Sequence, residues 1–169
     1  PPKLILKALE AKIAMIDLSG CNLAGLDIPE NLDLSGIQSL ILSNAQNIPP
    51  RLILKALQAK ITSINLVWCN LAGLNIPEDL DLSGIQSLDL SAQNVPPRLI
   101  LKALEAKISK INLGWCDLAG LDNIPEDLDL SGIHSLDLRN AQNIPPKLIL
   151  KALEAKIAMI DLSGCNLAG

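Results

Sequence analysis

Phenylalanine and tyrosine are absent, and the aromatic complement is two residues, Trp68 and Trp115. Compact cores normally draw bulk from aromatic rings. A chain that is 49% hydrophobic without them must build its interior from Leu, Ile and Ala, which points to one small unit used many times. The same lack removes the stacking platforms on which single-stranded nucleic acid is held. Acids and bases are interspersed at a net charge of −4, so no basic stripe marks a nucleic-acid groove. Apolar runs are short pieces such as Leu4-Ile5-Leu6 and nowhere exceed four residues, far below a membrane span. There is one histidine, His134, with no acid and nucleophile arranged around it as a triad requires. No G-x-x-x-x-G-K-[ST] phosphate loop occurs. Nothing in the sequence argues for an enzyme or for a cofactor.

What is present is repetition. "PPKLILKALEAKI" begins at Pro1 and returns, nearly unchanged, at Pro49, Pro96 and Pro145. Residues 1–25 and 145–169 are identical. Each long unit holds two related halves. One is exemplified by "KIAMIDLSGCNLAGLDIPENL", the other by "GIQSLILSNAQNIPP". In both, apolar residues recur as apolar-x-x-apolar-x-apolar. The last of them falls at Leu18, Leu42, Leu66, Leu90, Leu113, Leu138 and Leu162. The alternation at the end of this pattern has the period of a strand with one buried face. Strands are therefore predicted near 15–18, 39–42, 63–66, 87–90, 110–113, 135–138 and 159–162. "PPKLILKALEAK" reads as a helix opened by proline, whose missing N–H would be unpaired in the first turn anyway. Leu6, Leu9 and Ile13 are predicted on its inner side, with Lys3, Lys7 and Glu10 outward. The link "AGLDIPENLDLSG" is too rich in Pro, Gly and Asp for more than a turn or an extended piece.

Over the whole chain these residues resemble the leucine-rich repeat, L-x-x-L-x-L-x-x-C/N-x-L. "IAMIDLSGCNL" is similar to its cysteine-containing, ribonuclease-inhibitor-like class, and "NLAGLDIPENL" to the L-x-G-x-I-P turn of plant-type repeats. The second halves depart from the pattern, with Ala45, Gln93 or Ala141 at the C/N position. The fourth copy, "SAQNV" against "SNAQNI", is one residue short. The resemblance implies an α/β fold: a right-handed, curved solenoid of about seven coils spanning residues 1–169 as one domain. Its strands would form a parallel sheet on the concave side, with helices on alternate convex returns. Residue 1 already lies inside the repeat and neither end shows a polar cap, so the chain reads as a segment of a longer array whose uncapped ends invite self-association. The near-identity of the copies fits recent duplication and deliberate construction alike.

Cys21, Cys69, Cys116 and Cys165 occur once per long unit at the same place. No C-x-x-C pair suggests zinc. Cysteines two strands apart would stand about 9–10 Å from each other, beyond a disulfide's reach. They are predicted to be small buried groups that turn the chain out of the strand, each thiol meeting a nearby carbonyl. Four unpaired thiols favour a reducing compartment such as the cytoplasm; no other feature assigns a location.

The copies differ mainly at positions flanking the apolar strand residues. Where the first shows Ala14, Met15, Asp17, Ser19 and Gly20, the third shows Thr62, Ser63, Asn65, Val67 and Trp68. The fifth shows Ser109, Lys110, Asn112, Gly114 and Trp115. The expected partner is thus a protein docked on the strand face, around Trp68, Trp115, Lys110, Arg139, His134, Asp89 and Asp137, or neighbouring repeat units. Trp68 and Trp115 read either as interface anchors or as packing groups that cover the sheet rim or fill a gap beside the cysteine turn. Asp137 and Asp161 are placed on neighbouring strands, where a cation would bridge them, although solvated surface is the plainer reading of both.

Overall fold

The computed structural model describes residues 1–167. Seven strands form one sheet: β1 (Met15–Asp17), β2 (Ser39–Ile41), β3 (Ser63–Asn65), β4 (Ser87–Asp89), β5 (Lys110–Asn112), β6 (Ser135–Asp137) and β7 (Met159–Asp161). Every strand is three residues long and begins where the sequence spacing places it. The order is sequential from β1 to β7 and all pairings are parallel. One register runs across the sheet, with Ile16, Leu40, Ile64, Leu88, Ile111, Leu136 and Ile160 in line. These central residues are buried except at β7, where Ile160 is half-buried. Their neighbours in each strand turn to the opposite face, as the two-residue period dictates.

Four helices complete the α/β architecture: α1 (Pro2–Glu10), α2 (Pro50–Gln58), α3 (Pro97–Glu105) and α4 (Pro146–Glu154). They precede β1, β3, β5 and β7. Each has proline in its first turn and no side-chain cap. Each ends on an alanine followed by a lysine in the left-handed region, Lys60 at φ 57° for instance. The lysine N–H donates back to a carbonyl of the last turn, Lys60 to Leu57 at 3.2 Å. The inner side differs from the sequence expectation. In α2 the buried residues are Leu52, Ile53, Ala56 and Leu57, while Leu54, the counterpart of Leu6, is only half-buried. Steps of one, four and five residues keep these four on one side of a 3.6-residue helix. Ile61, the counterpart of Ile13, is buried from beyond the helix end.

Between β1 and β2 the chain is not helical. Leu23, Leu26, Ile28, Leu32, Leu34 and Ile37 are buried along it, and a local turn at Asp33, whose carboxylate accepts the Ser35 N–H at 2.9 Å, leads into the next strand. An ion pair then fastens the end of α1, α2 and α3 to the following link: Lys12–Asp33 at 3.0 Å, Lys60–Asp81 at 3.0 Å and Lys107–Asp129 at 3.1 Å. One continuous core of Leu, Ile and Ala lies between the sheet and these returns.

Candidate binding face

The residues flanking each central strand position form the exposed face of the sheet. Register brings Asp89, Asn112 and Asp137 into one row, and Ser87, Lys110 and Ser135 into another. Asn112 donates from Nδ2 to Asp89 Oδ2 at 3.1 Å. Burial, with the charge of Asp137 nearby, raises the Asp89 carboxyl above the usual aspartate range, against the Ser91 N–H and Asn112 that hold it down. The cation bridging Asp137 and Asp161 is a guanidinium: Arg139 reaches Asp137 Oδ2 at 3.1 Å and Asp161 Oδ2 at 3.5 Å. His134 is exposed at the opposite end of β6, its N–H donating to the Ser109 carbonyl at 2.8 Å. It stands five residues from Arg139, roughly 17 Å along an extended chain. The residues singled out in the sequence therefore separate into two ends of the face: Arg139 and both tryptophans beyond the carboxyl ends of the strands, His134 and Lys110 toward the amino ends.

Trp68 and Trp115 are 56% and 58% exposed, and neither fills a gap in the core. Both adopt left-handed backbone, at φ 61° and 64°, where a bulky side chain is an outlier. Other copies put Gly20, Asn44, Asn140 and Gly164 at this place, with φ between 56° and 72°. The position has a fixed task. Its N–H donates to a carbonyl of the next copy: Gly20 to Ser43, Asn44 to Val67, Trp68 to Ser91, Trp115 to Arg139 and Asn140 to Ser163, all at 2.7–2.9 Å. The fourth copy lacks the residue altogether. There the buried Ser91 supplies the donor, its Oγ–H reaching the Gly114 carbonyl at 2.7 Å. Gly114 leaves room for it: a Cβ would be crowded, 3.1 Å from Asn112 Oδ1, 3.2 Å from the Arg139 carbonyl and 3.3 Å from Ser91 Oγ.

The missing residue also explains how two tryptophans that follow non-adjacent strands, β3 and β5, meet. With no side chain between them, their ring centroids approach to 6.4 Å, with planes tilted by 39°. That lies inside the range of favourable aromatic pairs and well under the spacing of two strands. A dent of about 150 Å³ opens beside the pair, over Ser91, Gly114 and Arg139. The short fourth copy was visible in the sequence; its consequence for Trp68 and Trp115 was not.

The four cysteines are free. Cys69 and Cys116 are buried and donate from Sγ to the carbonyls of Leu42 and Leu90 at 2.9 and 3.0 Å. Burial pushes both thiols up to about 11. Cys21 and Cys165 depart from the expected burial. Both are half-exposed, because the first and last strands have a neighbour on one side only. Cys165 still donates to the Leu138 carbonyl at 2.9 Å. Among the described residues no three His, Cys, Asp or Glu side chains converge as a metal site would, and no helix is long and apolar enough to cross a membrane.

Comparison of the chain with protein-family models, with curated proteins and with solved structures returns no match.

Proposed function

We propose that the chain is a non-enzymatic binding scaffold, a leucine-rich-repeat solenoid that docks a protein partner on the exposed, concave face of its sheet. The observation that carries this reading is where the copies differ. Core positions hold Leu or Ile in every copy, whereas positions on the open face of the sheet change from exposed Asp17 to half-buried Asn65 and Asp89, and from Gly20 to Trp68 to Trp115. Packing does not call for that variety, since these side chains lie outside the core. Two paired, exposed indoles are the kind of anchor on which interface energy concentrates. The partner would be met by Asp89, Asp137, Lys110 and Arg139 beside them. Partner affinity measured for Trp68→Gly/Trp115→Gly should fall by about 2 kcal/mol or more, while helix-side changes such as Lys55→Ala leave it unaltered. Affinity that responds to the helix side and ignores the tryptophans would overturn the assignment.

A second reading, an assembly unit, is favoured by the end-facing side chains. Leu4 is 62% exposed, whereas its counterparts Leu52, Leu99 and Leu148 are at 0%. Exposed apolar ends with unpaired strand edges are complementary to more copies of the same unit.

A further inference from the structure

The outer sides of the two tryptophans face clefts of matching chemistry at the rim beyond the carboxyl ends of the strands. Trp68 walls a cleft of about 340 Å³ with Asn44, Gln46, Asn47 and Asn70. Trp115 walls one of about 580 Å³ with Asn140, Gln142, Asn143 and Asn166. Among the described residues no charged side chain lines either cleft.

Several of these amides are held in place with hydrogen-bonding capacity to spare. Asn47 spends its Nδ2 on Asn22 Oδ1 at 2.8 Å, which turns its own oxygen into a fixed acceptor. Asn70 Oδ1 accepts the Ala72 N–H at 3.0 Å and Asn94 Nδ2 at 2.8 Å, leaving its NH2 as a fixed donor. In the second cleft Asn143 is held in the manner of Asn47, by Asp117 at 2.8 Å. The side chains of Asn44, Gln46 and Gln142 form no hydrogen bond within the described protein. Each of these three offers both an acceptor oxygen and an NH2 donor.

This lining discriminates among ligands. A charged group would lose water and find no counter-charge. A wholly apolar one would strand the amides unpaired. A neutral molecule with one apolar face and a rim of hydroxyls satisfies both the indole and the amides, and small-molecule sites combine an aromatic wall with a few placed polar groups in this way. We propose that the two clefts are saccharide subsites for neutral β-linked pyranoses with equatorial hydroxyls. Such a ring lays its axial C–H bonds on the indole and directs its hydroxyls to the amides. The proposal does not depend on protein docking across the sheet, because it uses the amide-bearing side of each tryptophan.

Cellotriose is the probe, titrated into the full 169-residue chain and followed by tryptophan emission and by calorimetry. Two sites per chain are expected. Trp68→Gly and Trp115→Gly should each remove one. Both variants place at the αL position the glycine already found at Gly20 and Gly164, so the fold should tolerate them. Gln46→Ala and Gln142→Ala, which leave the backbone and the indoles alone, should each weaken one site by about tenfold, as expected for a lost hydrogen bond. Asp89→Asn and Lys110→Ala should leave cellotriose binding as it was, which separates this result from a failure of the protein-docking reading. The proposal is overturned by no saturable response up to about 10 mM, a contact energy near 3 kcal/mol at most. Binding that survives in the double tryptophan variant, or is unchanged by both glutamine substitutions, would equally overturn it.

Discussion

At Ser91 a hydroxyl replaces a deleted backbone N–H, and Gly114 leaves the room for it. Removing that hydroxyl strands a buried carbonyl, which costs about 1–3 kcal/mol. Ser91→Ala should therefore lower the denaturant midpoint by a corresponding amount, whereas Ser43→Ala, at the same place in a full-length copy, should change it little. Trp68→Gly should behave differently. It loses an aromatic contact worth about 0.5–1.5 kcal/mol but relieves a strained left-handed backbone that costs a comparable amount, so chemical denaturation should find stability nearly unaltered. Thiol titration offers a separate check. In the native state Cys21 and Cys165 should react promptly and Cys69 and Cys116 slowly, because burial suppresses the thiolate of the inner pair at neutral pH. All four should react in denaturant. Equal rates for all four would contradict the difference in burial.

The elements are short, and they hold together through recurrent ties at helix ends. Asp81 is lowered to about 2 by the Ser83 N–H and by Lys60. Asp129 is lowered to about 2 by Ser131, with Lys107 contributing. Asp33, held by Ser35 and Lys12, lies below the usual aspartate range. A carboxyl whose folded pKa is depressed stabilises the fold above its unfolded value, near 3.9, and loses that contribution as pH falls through the folded value. Thermal stability should therefore drop between about pH 4 and pH 2, and less steeply in a triple Asp33→Asn/Asp81→Asn/Asp129→Asn variant. The three carboxylates are exposed, so added salt should reduce the difference. An identical acid limb in the variant would assign the loss to other groups.

In the whole molecule the core is one continuous layer, closed laterally by its own neighbours and open at its two ends. Leu4 and Ile13 are exposed on one end, Leu150 and Leu153 on the other. β1 and β7 each pair on one side only. The 169-residue chain should accordingly self-associate in a concentration-dependent way, and Leu4→Glu with Leu153→Glu should reduce this in sedimentation velocity. A monomer at high concentration in the unsubstituted chain would show that these edges are not adhesive.

The seven strands were legible from Leu18 to Leu162 because a strand's two-residue alternation and a fixed copy length are local properties of the chain. The helix starts were legible because proline fixes its own φ and lacks the N–H that a first turn cannot use. The inner side of each helix was read less well. Which of Leu52, Ile53, Leu54 and Leu57 is covered depends on how the helix rests against its neighbours. Tertiary structure alone decided three things. It left Cys21 and Cys165 half-exposed where Cys69 and Cys116 are buried, since burial needs a neighbour on both sides. It separated His134 from the tryptophans, since position along a strand is also distance across the face. And it turned a one-residue deletion at Ser91 into contact between Trp68 and Trp115, with amide clefts on their far sides. Sequence by itself determined the period, because period is set by which residues must be apolar. The contacts between copies followed only once parallel pairing brought residues 24 positions apart to within one strand spacing.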